Sequence, residues 1–157
     1  MRRGTIARTA AAVISTAVAG GLATDPASAW YRALRKPPWQ PPPPAYGLVW
    51  TPLYADVAVT SARVLDGLED AGRAGERSAF RAALAANLVL NAGWNVLFFR
   101  AHKPWLAAAE CAALTVSSAD LVRRAAAVDR RAAAALAPYP AWCAFATALT
   151  VAIARRN

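Results

Sequence analysis

Apolar residues in this chain form five long runs that are separated by shorter polar segments. Each run holds roughly 18–22 residues, which is the helix length that crosses about 30 Å of hydrocarbon. Gly, Ala, Ser and Thr are frequent in the runs, and such small residues let helices approach closely in lipid. The pattern predicts an all-α membrane protein, a single domain built as a bundle of five transmembrane helices. The spans are about residues 5–23, 45–65, 80–99, 105–122 and 132–154.

The first run also permits a second interpretation. Arg2 and Arg3 precede the apolar core, and Ala27-Ser28-Ala29 follows it, which is the order found in a secretory signal peptide with its cleavage site. The apolar core is rather long for a signal peptide. We therefore favour a transmembrane helix and keep the signal peptide as the alternative.

A long proline-rich segment, about residues 24–44, follows the first run and is called the lid loop here. Pro37, Pro38 and the run 41–44 lack amide protons and have a fixed φ, so this part is extended and stiff. It carries Trp39. The segment predicts a rigid aromatic lid over the bundle.

The second run opens with aromatic residues at every fourth position. Tyr46, Trp50 and Tyr54 therefore lie along one face of the predicted helix. Next to a rigid lid, this face indicates a pocket for a flat apolar ligand. The alternative is an aromatic belt at the membrane interface, where Trp and Tyr anchor a helix at headgroup level.

Polar residues inside the third run form a stripe. Asn87, Asn91, Trp94 and Phe98 recur at helical spacing on one face. Amides capped by aromatic rings suit the polar edge of a flat ligand. The alternative is hydrogen bonding between helices, which contributes about 0.6–2 kcal/mol for each bond in a membrane.

The fifth run supplies a second aromatic wall. If Trp142 faces Trp50, the two rings form a two-sided slot, and Ala146 leaves room between them. The alternative is that Trp142 only packs the bundle or anchors it at the interface.

Composition and charge agree with a membrane protein. Hydrophobic residues make up 57% of the chain and charged residues 17%. In ordinary soluble domains, apolar residues make up about 45–50% and charged residues about 25%. The net charge of +9 does not indicate nucleic acid, because the arginines lie in short clusters between apolar runs. The N-terminus and the loops on its side of the membrane hold 11 of the 18 Lys and Arg residues, and the loops on the opposite side hold 7. This bias predicts a cytoplasmic N-terminus and an external lid loop.

Three carboxylates lie in or beside the runs. Asp56 points away from the aromatic face, where we expect it to pair with an arginine such as Arg8 or to line a partner interface. We expect Glu110 and Asp120 to pair with the arginines at 123–124 or to reach water.

No catalytic constellation or metal site is evident. Cys111 and Cys143 lie in apolar runs without metal-ligand spacing, so we expect buried free thiols. His102 is the only histidine and lies in a charged loop, where we expect a solvated side chain that does not ligate haem. An enzymatic role is therefore ranked below a binding role.

The chain resembles the TspO/MBR family, the translocator protein once called the peripheral-type benzodiazepine receptor, and is identified as a bacterial member. The resemblance covers roughly residues 20–157. The residues that carry it are Trp30-Tyr31, Leu34-x-Lys36-Pro37-x-Trp39-x-Pro41-Pro42, Gly47-x-Val49-Trp50-x-x-Leu53-Tyr54, Asn87-Leu88, Leu90-Asn91-x-x-Trp94, Phe98-Phe99, Pro138-Tyr139 and Trp142.

The resemblance implies a homodimeric, multi-pass protein of the bacterial cell membrane that needs no cofactor. It implies a ligand, a tetrapyrrole such as protoporphyrin IX or haem, held beneath the lid loop by a sensor or carrier for porphyrin handling and stress response. One alternative it offers is a light- and oxygen-dependent porphyrin-degrading enzyme that uses Trp50 and Trp142. A further alternative is a membrane scaffold that binds a protein partner.

By motif position, the family's ligand pocket maps onto ten residues of this chain. These are Trp39, Tyr46, Trp50, Tyr54, Asn87, Asn91, Trp94, Trp105, Trp142 and Ala146. Arg32, Arg35 and Lys36 beside the lid either pair the propionates of a porphyrin or address lipid headgroups.

Several positions depart from the family pattern. Asn87 stands where the family often has Gln, and Thr150 where it often has Asn. Asn95-Val96 replaces a proline-containing pair, which predicts a less kinked third helix. Val151 stands near the place of a tyrosine in the family's cholesterol motif, so we do not expect specific cholesterol binding.

Overall fold

A computed structural model describes residues 1–157, and the fold is helical throughout with no strand. Five long rods form a bundle, and one short helix lies in the lid loop. The elements are α1 (Arg3–Ala23), α2 (Ala29–Ala33), α3 (Pro43–Asp70), α4 (Ala74–Asn95), a π-helical turn (Val96–Arg100), α5 (Pro104–Ala126), α6 (Arg130–Leu136) and α7 (Pro138–Ala154).

Four of the rods are long and apolar enough to cross a membrane. They are Arg3–Ala23, Ala74–Arg100, Pro104–Ala126 and Arg130–Ala154. The fifth rod, α3, is the longest helix with 28 residues, but it contains Asp56, Arg63 and an internal proline, Pro52. Length and composition therefore support a multi-pass membrane protein with four clear crossings.

The turn between α3 and α4 needs a glycine. Gly72 has φ of 66°, a left-handed conformation that L side chains adopt at a cost. Its N–H donates to the Glu69 carbonyl at 3.0 Å, and the Arg73 N–H donates to the Leu68 carbonyl at 2.9 Å. This Schellman pattern satisfies the last carbonyls of α3 and sends the chain straight back into α4.

The third predicted span does not end as a regular α-helix. From Val96 the winding widens to a π turn, closed by an Ala101 N–H bond to the Val96 carbonyl at 2.9 Å. The helix passes through Asn95-Val96 without a break and widens there. A smaller kink than in the family stays a prediction. His102, with φ of 55°, then redirects the chain into Pro104 at the start of α5.

The fifth predicted span is divided in two. Asp129 caps α6 by accepting hydrogen bonds from the N–H groups of Arg131 and Ala132, at 2.8 and 3.2 Å, and these donors hold the pKa of its carboxyl below the usual range. The rod is interrupted at Ala137 because Pro138 has no N–H to continue the helical hydrogen bonds.

The lid loop is partly helical, although its sequence predicts a loop throughout. Ser28 accepts a hydrogen bond from the Tyr31 N–H at 3.2 Å and so caps the short helix α2. The loop is also tied to the far end of the chain. The Arg35 N–H donates to Asn157 Oδ1 at 2.9 Å, and Asn157 Nδ2 donates to the Arg35 carbonyl at 3.1 Å.

Helix α1 packs into the bundle against α3 and α4. Its hydroxyl at Thr9 donates to the Ala58 carbonyl of α3 at 2.9 Å. Near the other end, a Cβ on Gly20 would lie 2.8 Å from Nδ2 of Asn95, whose Oδ1 accepts a hydrogen bond from Thr24 at 2.9 Å. The missing side chain at Gly20 therefore sets how closely α1 approaches α4.

Substitution of Gly20 tests this close approach. Both Gly20→Ala and Gly21→Ala gain about 0.8–1.0 kcal/mol in helix propensity, but nothing lies within 4 Å of a Cβ on Gly21. Because Asn95 must shift, we expect Gly20→Ala to be less stable than Gly21→Ala by about 1–3 kcal/mol. Thermal unfolding in detergent measures the difference, and equal midpoints would contradict the close contact.

Candidate functional site

A cavity of about 320 Å³ opens beneath the lid loop and extends into the bundle. Helices α1, α3, α4, α5 and α7 contribute to its wall, which consists of 25 residues, 16 of them hydrophobic. No Asp, Glu, Lys, Arg or His side chain lines it. A cavity of this size and polarity suits a small, largely apolar ligand held by few polar contacts.

Aromatic rings from α3 and α7 form a corner of the wall. Trp50 stacks on Tyr54, with centroids 5.2 Å apart and planes at 26°. Trp50 and Trp142 meet edge to face, at 6.4 Å and 86°, and Tyr46 meets Trp142 at 6.4 Å and 69°. The predicted pairing of Trp50 with Trp142 is present, but the expected two-sided slot is wrong because the rings stand nearly perpendicular.

A chain of hydrogen bonds runs from this corner through the bundle. The Tyr54 hydroxyl donates to Asn91 Oδ1 at 2.6 Å, and Asn91 Nδ2 donates to the Tyr139 hydroxyl at 3.1 Å. The Tyr139 hydroxyl donates to Asn87 Oδ1 at 2.8 Å, and Asn87 Nδ2 donates to Ser118 Oγ at 3.0 Å. The chain joins α3, α4, α7 and α5 in turn.

The two asparagines of the predicted stripe lie in different environments. Asn91 lines the cavity and also bonds across helices, whereas Asn87 is fully buried behind the wall. The interhelical alternative therefore describes Asn87. Sequence reasoning missed Tyr139 and Ser118 as members of this chain, since their partners lie on other helices.

Seven of the ten predicted site residues line the cavity, and three do not. The seven are Tyr46, Trp50, Tyr54, Asn91, Trp94, Trp142 and Ala146. Besides Asn87, the exceptions are Trp39, which is 47% exposed and touches Phe145 at 5.8 Å, and Trp105, which is 58% exposed at the start of α5. Both residues are largely exposed and neither belongs to the cavity wall.

Further wall residues were not predicted as site residues. Phe99, Phe145 and Gln40 line the cavity, as do Cys111 and Cys143. The sequence expectation of buried free thiols is met at both cysteines. Helical spacing could have predicted Cys143, because this residue lies one turn before Ala146 on the face of α7 that borders the cavity.

Some polar atoms of the wall have no hydrogen-bond partner. These are the indole Nε1 of Trp94, the indole Nε1 of Trp142 and Oε1 of Gln40. A buried polar group without a partner costs about 1–3 kcal/mol. The two indole N–H groups are donors and Gln40 Oε1 is an acceptor, so a partner would need both acceptor and donor atoms to satisfy all three.

Charge is distributed unevenly between the ends of the bundle. All eight ion pairs lie at the end that holds Arg2, the α3–α4 turn and the α5–α6 turn. At the other end, called the mouth here, no cation is ion-paired and Asp25 is the one acidic side chain in the loops. The cations of the mouth are Arg32, Arg35, Lys36, Arg100, Lys103, Arg155 and Arg156.

The expected carboxylate pairings are met in part. Asp120 pairs with Arg123 at 2.6 Å and with Arg124 at 2.5 Å, as predicted. Both carboxylate oxygens of Glu110 are buried without a partner, so its predicted pairing is wrong. Asp56 likewise has no ion pair with Arg8, and its Oδ2 has no partner. Its role at a partner interface stays a prediction.

Fold and site together define an integral, multi-pass helical membrane protein with an aromatic cavity inside the bundle. The chain belongs to the TspO/MBR family, whose family model matches residues 9–156. The sequence-based assignment to this family is confirmed.

Individual relatives agree with the family model. The "Tryptophan-rich protein TspO" of Chlorobaculum tepidum is 30% identical over 84% of this chain and 82% of its own length. The human "Translocator protein" is 33% identical over 82% of this chain and 75% of its own length. The "Tryptophan-rich sensory protein" of Cereibacter sphaeroides is 31% identical over 82% of this chain and 77% of its own length.

Removal of one hydroxyl tests the hydrogen-bond chain. Tyr139→Phe deletes two hydrogen bonds and leaves both asparagine amides short of a partner. We expect a loss of about 1–3 kcal/mol of unfolding free energy, since buried groups left unpaired are costly. The matched control is Tyr31→Phe, because the Tyr31 hydroxyl accepts only from Gln40 near the mouth. Equal stability of the two variants in denaturant titration would argue against the chain.

Proposed function

We propose that this protein binds a tetrapyrrole such as protoporphyrin IX or haem in the cavity beneath the lid loop. In this role it acts as a membrane sensor or carrier in porphyrin handling. The observation that carries the proposal is the corner of Trp50, Tyr54 and Trp142 in an otherwise apolar cavity. Each aromatic contact adds about 0.5–1.5 kcal/mol beyond area burial.

The charge of the mouth supports an anionic ligand. A porphyrin is a flat apolar disc with propionate groups at one edge. Lys36 lies over the Tyr31 ring at 4.1 Å, and Tyr31 itself borders the cavity. With Arg32 and Arg35 nearby, the cations without ion pairs can receive propionates while the disc enters the bundle.

We also propose that α3 is a fifth crossing. Helices α1 and α4 run in the same direction, because the C-terminal parts of both meet through Gly20 and Asn95. If both cross the membrane, the chain must cross back between them, and α3 is the only long helix there. It packs antiparallel to α1, with Arg2 bonded to Asp66. At 1.5 Å per residue it is long enough.

The binding proposal is tested by titration of the purified protein with protoporphyrin IX, followed by quenching of tryptophan fluorescence. We expect saturable quenching, with an affinity weakened at least about tenfold in Trp50→Ala, which corresponds to about 1.4 kcal/mol. The matched control is Trp105→Ala, which removes an exposed indole outside the cavity. Binding that is absent, or equally weakened in both variants, would refute the proposed site.

A second candidate is light- and oxygen-dependent porphyrin degradation. The edge-to-face contact of Trp50 with Trp142 inside the cavity favours it, because two oxidisable rings then lie beside the ligand. If the protein has this activity, illumination with oxygen should give product over several turnovers, and Trp50→Phe with Trp142→Phe should lose it. Bleaching limited to one turnover, or unchanged in the double variant, would leave the binding role alone.

A further inference from the structure

The single histidine lies in the turn before α5 and belongs neither to the cavity wall nor to the hydrogen-bond chain. The imidazole ring of His102 lies flat on the indole of Trp30 in α2, with ring centroids 4.3 Å apart and planes at 16°. The side chain is exposed, as predicted, but one face of its ring is covered. His102 therefore contacts the one helix of the lid loop.

The same indole connects the lid loop to the cavity wall. Trp30 meets Phe98 of the π-helical turn edge to face, at 5.4 Å and 71°, and Phe98 stacks on Trp94 at 5.2 Å and 9°. Trp94 lines the cavity. Aromatic contacts thus lead from His102 through the lid to the wall, so the strength with which His102 holds Trp30 affects how the lid covers the cavity.

Of the two partners in this stack, the lid is the one that moves more easily. Helix α2 has five residues and none of them is buried. The turn that carries His102 follows a long helix and is tied to α1 by a hydrogen bond from Arg100 to the Leu22 carbonyl at 2.6 Å. Elements with little buried surface open most readily. The stack is therefore placed to control how often α2 leaves the bundle.

The protonated form of His102 holds the lid more firmly than the neutral form. A cation over the face of an indole, within about 6 Å, is attracted by the ring, and histidine gains its charge between about pH 5 and 8. Arg100 and Lys103 lie beside His102 and repel this charge, but they do so whether the lid is docked or open. The indole face is therefore the main difference between the two states of the lid.

The charged groups that the lid brings do not reverse this preference. Arg32 follows Trp30 by two residues, so its side chain points about 200° around α2, away from the stacked ring. Lys36 lies over another aromatic ring of the lid, 4.1 Å from its centroid. Asp25, the one carboxylate of the lid loop, attracts a protonated imidazole. The last turn of α1 and the first turn of α5 hold no charged side chain.

We propose that His102 is a positioning residue that latches the lid loop when it is protonated. The imidazolium ring holds Trp30, and loss of the proton loosens the lid. Because the docked lid binds the proton more tightly than the open lid, protonation stabilises docking to the same extent. Acidic pH then keeps the cavity closed, and higher pH eases exchange of its contents. For a bound ligand this inference rests on the proposed function, whereas the movement of the lid does not.

The test measures hydrogen exchange of residues 28–36 in the ligand-free full chain in detergent, at about pH 5 and about pH 8. Variants are compared at the same pH, so that the intrinsic exchange rate cancels. His102→Arg supplies a flat cation at both pH values. His102→Asn supplies neither ring nor charge, and asparagine tolerates the left-handed backbone at this position.

We expect the lid of the wild type to exchange about two- to fivefold faster than that of His102→Arg at the higher pH, and at nearly the same rate at the lower pH. His102→Asn should exchange faster than His102→Arg at both. In a Trp30→Leu background the residue at position 102 should no longer matter. A ratio that does not change with pH, or one that persists without Trp30, overturns the latch. Unchanged exchange of α5 shows that each variant is folded.

Dissociation of protoporphyrin IX separates the latch from the proposed function. At the higher pH the wild type should release the porphyrin about two- to fivefold faster than His102→Arg, and at the lower pH the two rates should agree. If the porphyrin does not bind while lid exchange still follows position 102, the proposed function fails and the latch stands. Porphyrin binding together with lid exchange that ignores position 102 refutes the latch alone.

Discussion

The chain of hydrogen bonds from Tyr54 to Ser118 is the interaction on which the site depends. A lipid bilayer offers no water to a polar side chain, so an amide or hydroxyl must bond either to the backbone of its own helix or to a partner on another helix. The bonds fix the rotation of α3, α4, α5 and α7 about their axes. Trp50 stacks on the first member of the chain, and Trp142 lies three residues after Tyr139. The position of the aromatic corner therefore follows from the polar chain.

The two ends of the bundle differ in how their charges are used. At one end arginines neutralise the carboxylates around the turns, which closes that end with ion pairs. At the mouth the cations remain without carboxylate partners, beside a lid loop that Asn157 ties to α7 through the Arg35 backbone. The ion-paired carboxylates and the unpaired cations therefore lie at opposite ends of the bundle, and the lid loop that borders the cavity lies at the cationic end. An anionic amphipathic ligand would meet charge first and apolar wall second.

The sequence by itself determined the helical runs, the family and most of the aromatic wall. Run length and hydropathy are properties of consecutive residues, and a membrane admits few alternatives to helices. The fourfold spacing of Tyr46, Trp50 and Tyr54 places them on one face whatever they contact. Local chemistry also predicted the pairing of Asp120 with the arginines one turn later. These outcomes depend on positions close together in the chain.

Only the tertiary structure decided which side chains share the cavity. It put Trp39 and Trp105 outside, moved Asn87 behind the wall, left Glu110 without a partner and brought the two thiols into the wall. It also turned the Trp50–Trp142 pair into a corner. Each of these features depends on the rotation and depth of one helix relative to another. Spacing along the chain specifies a face of a single helix, whereas packing and buried hydrogen bonds between helices choose what that face meets.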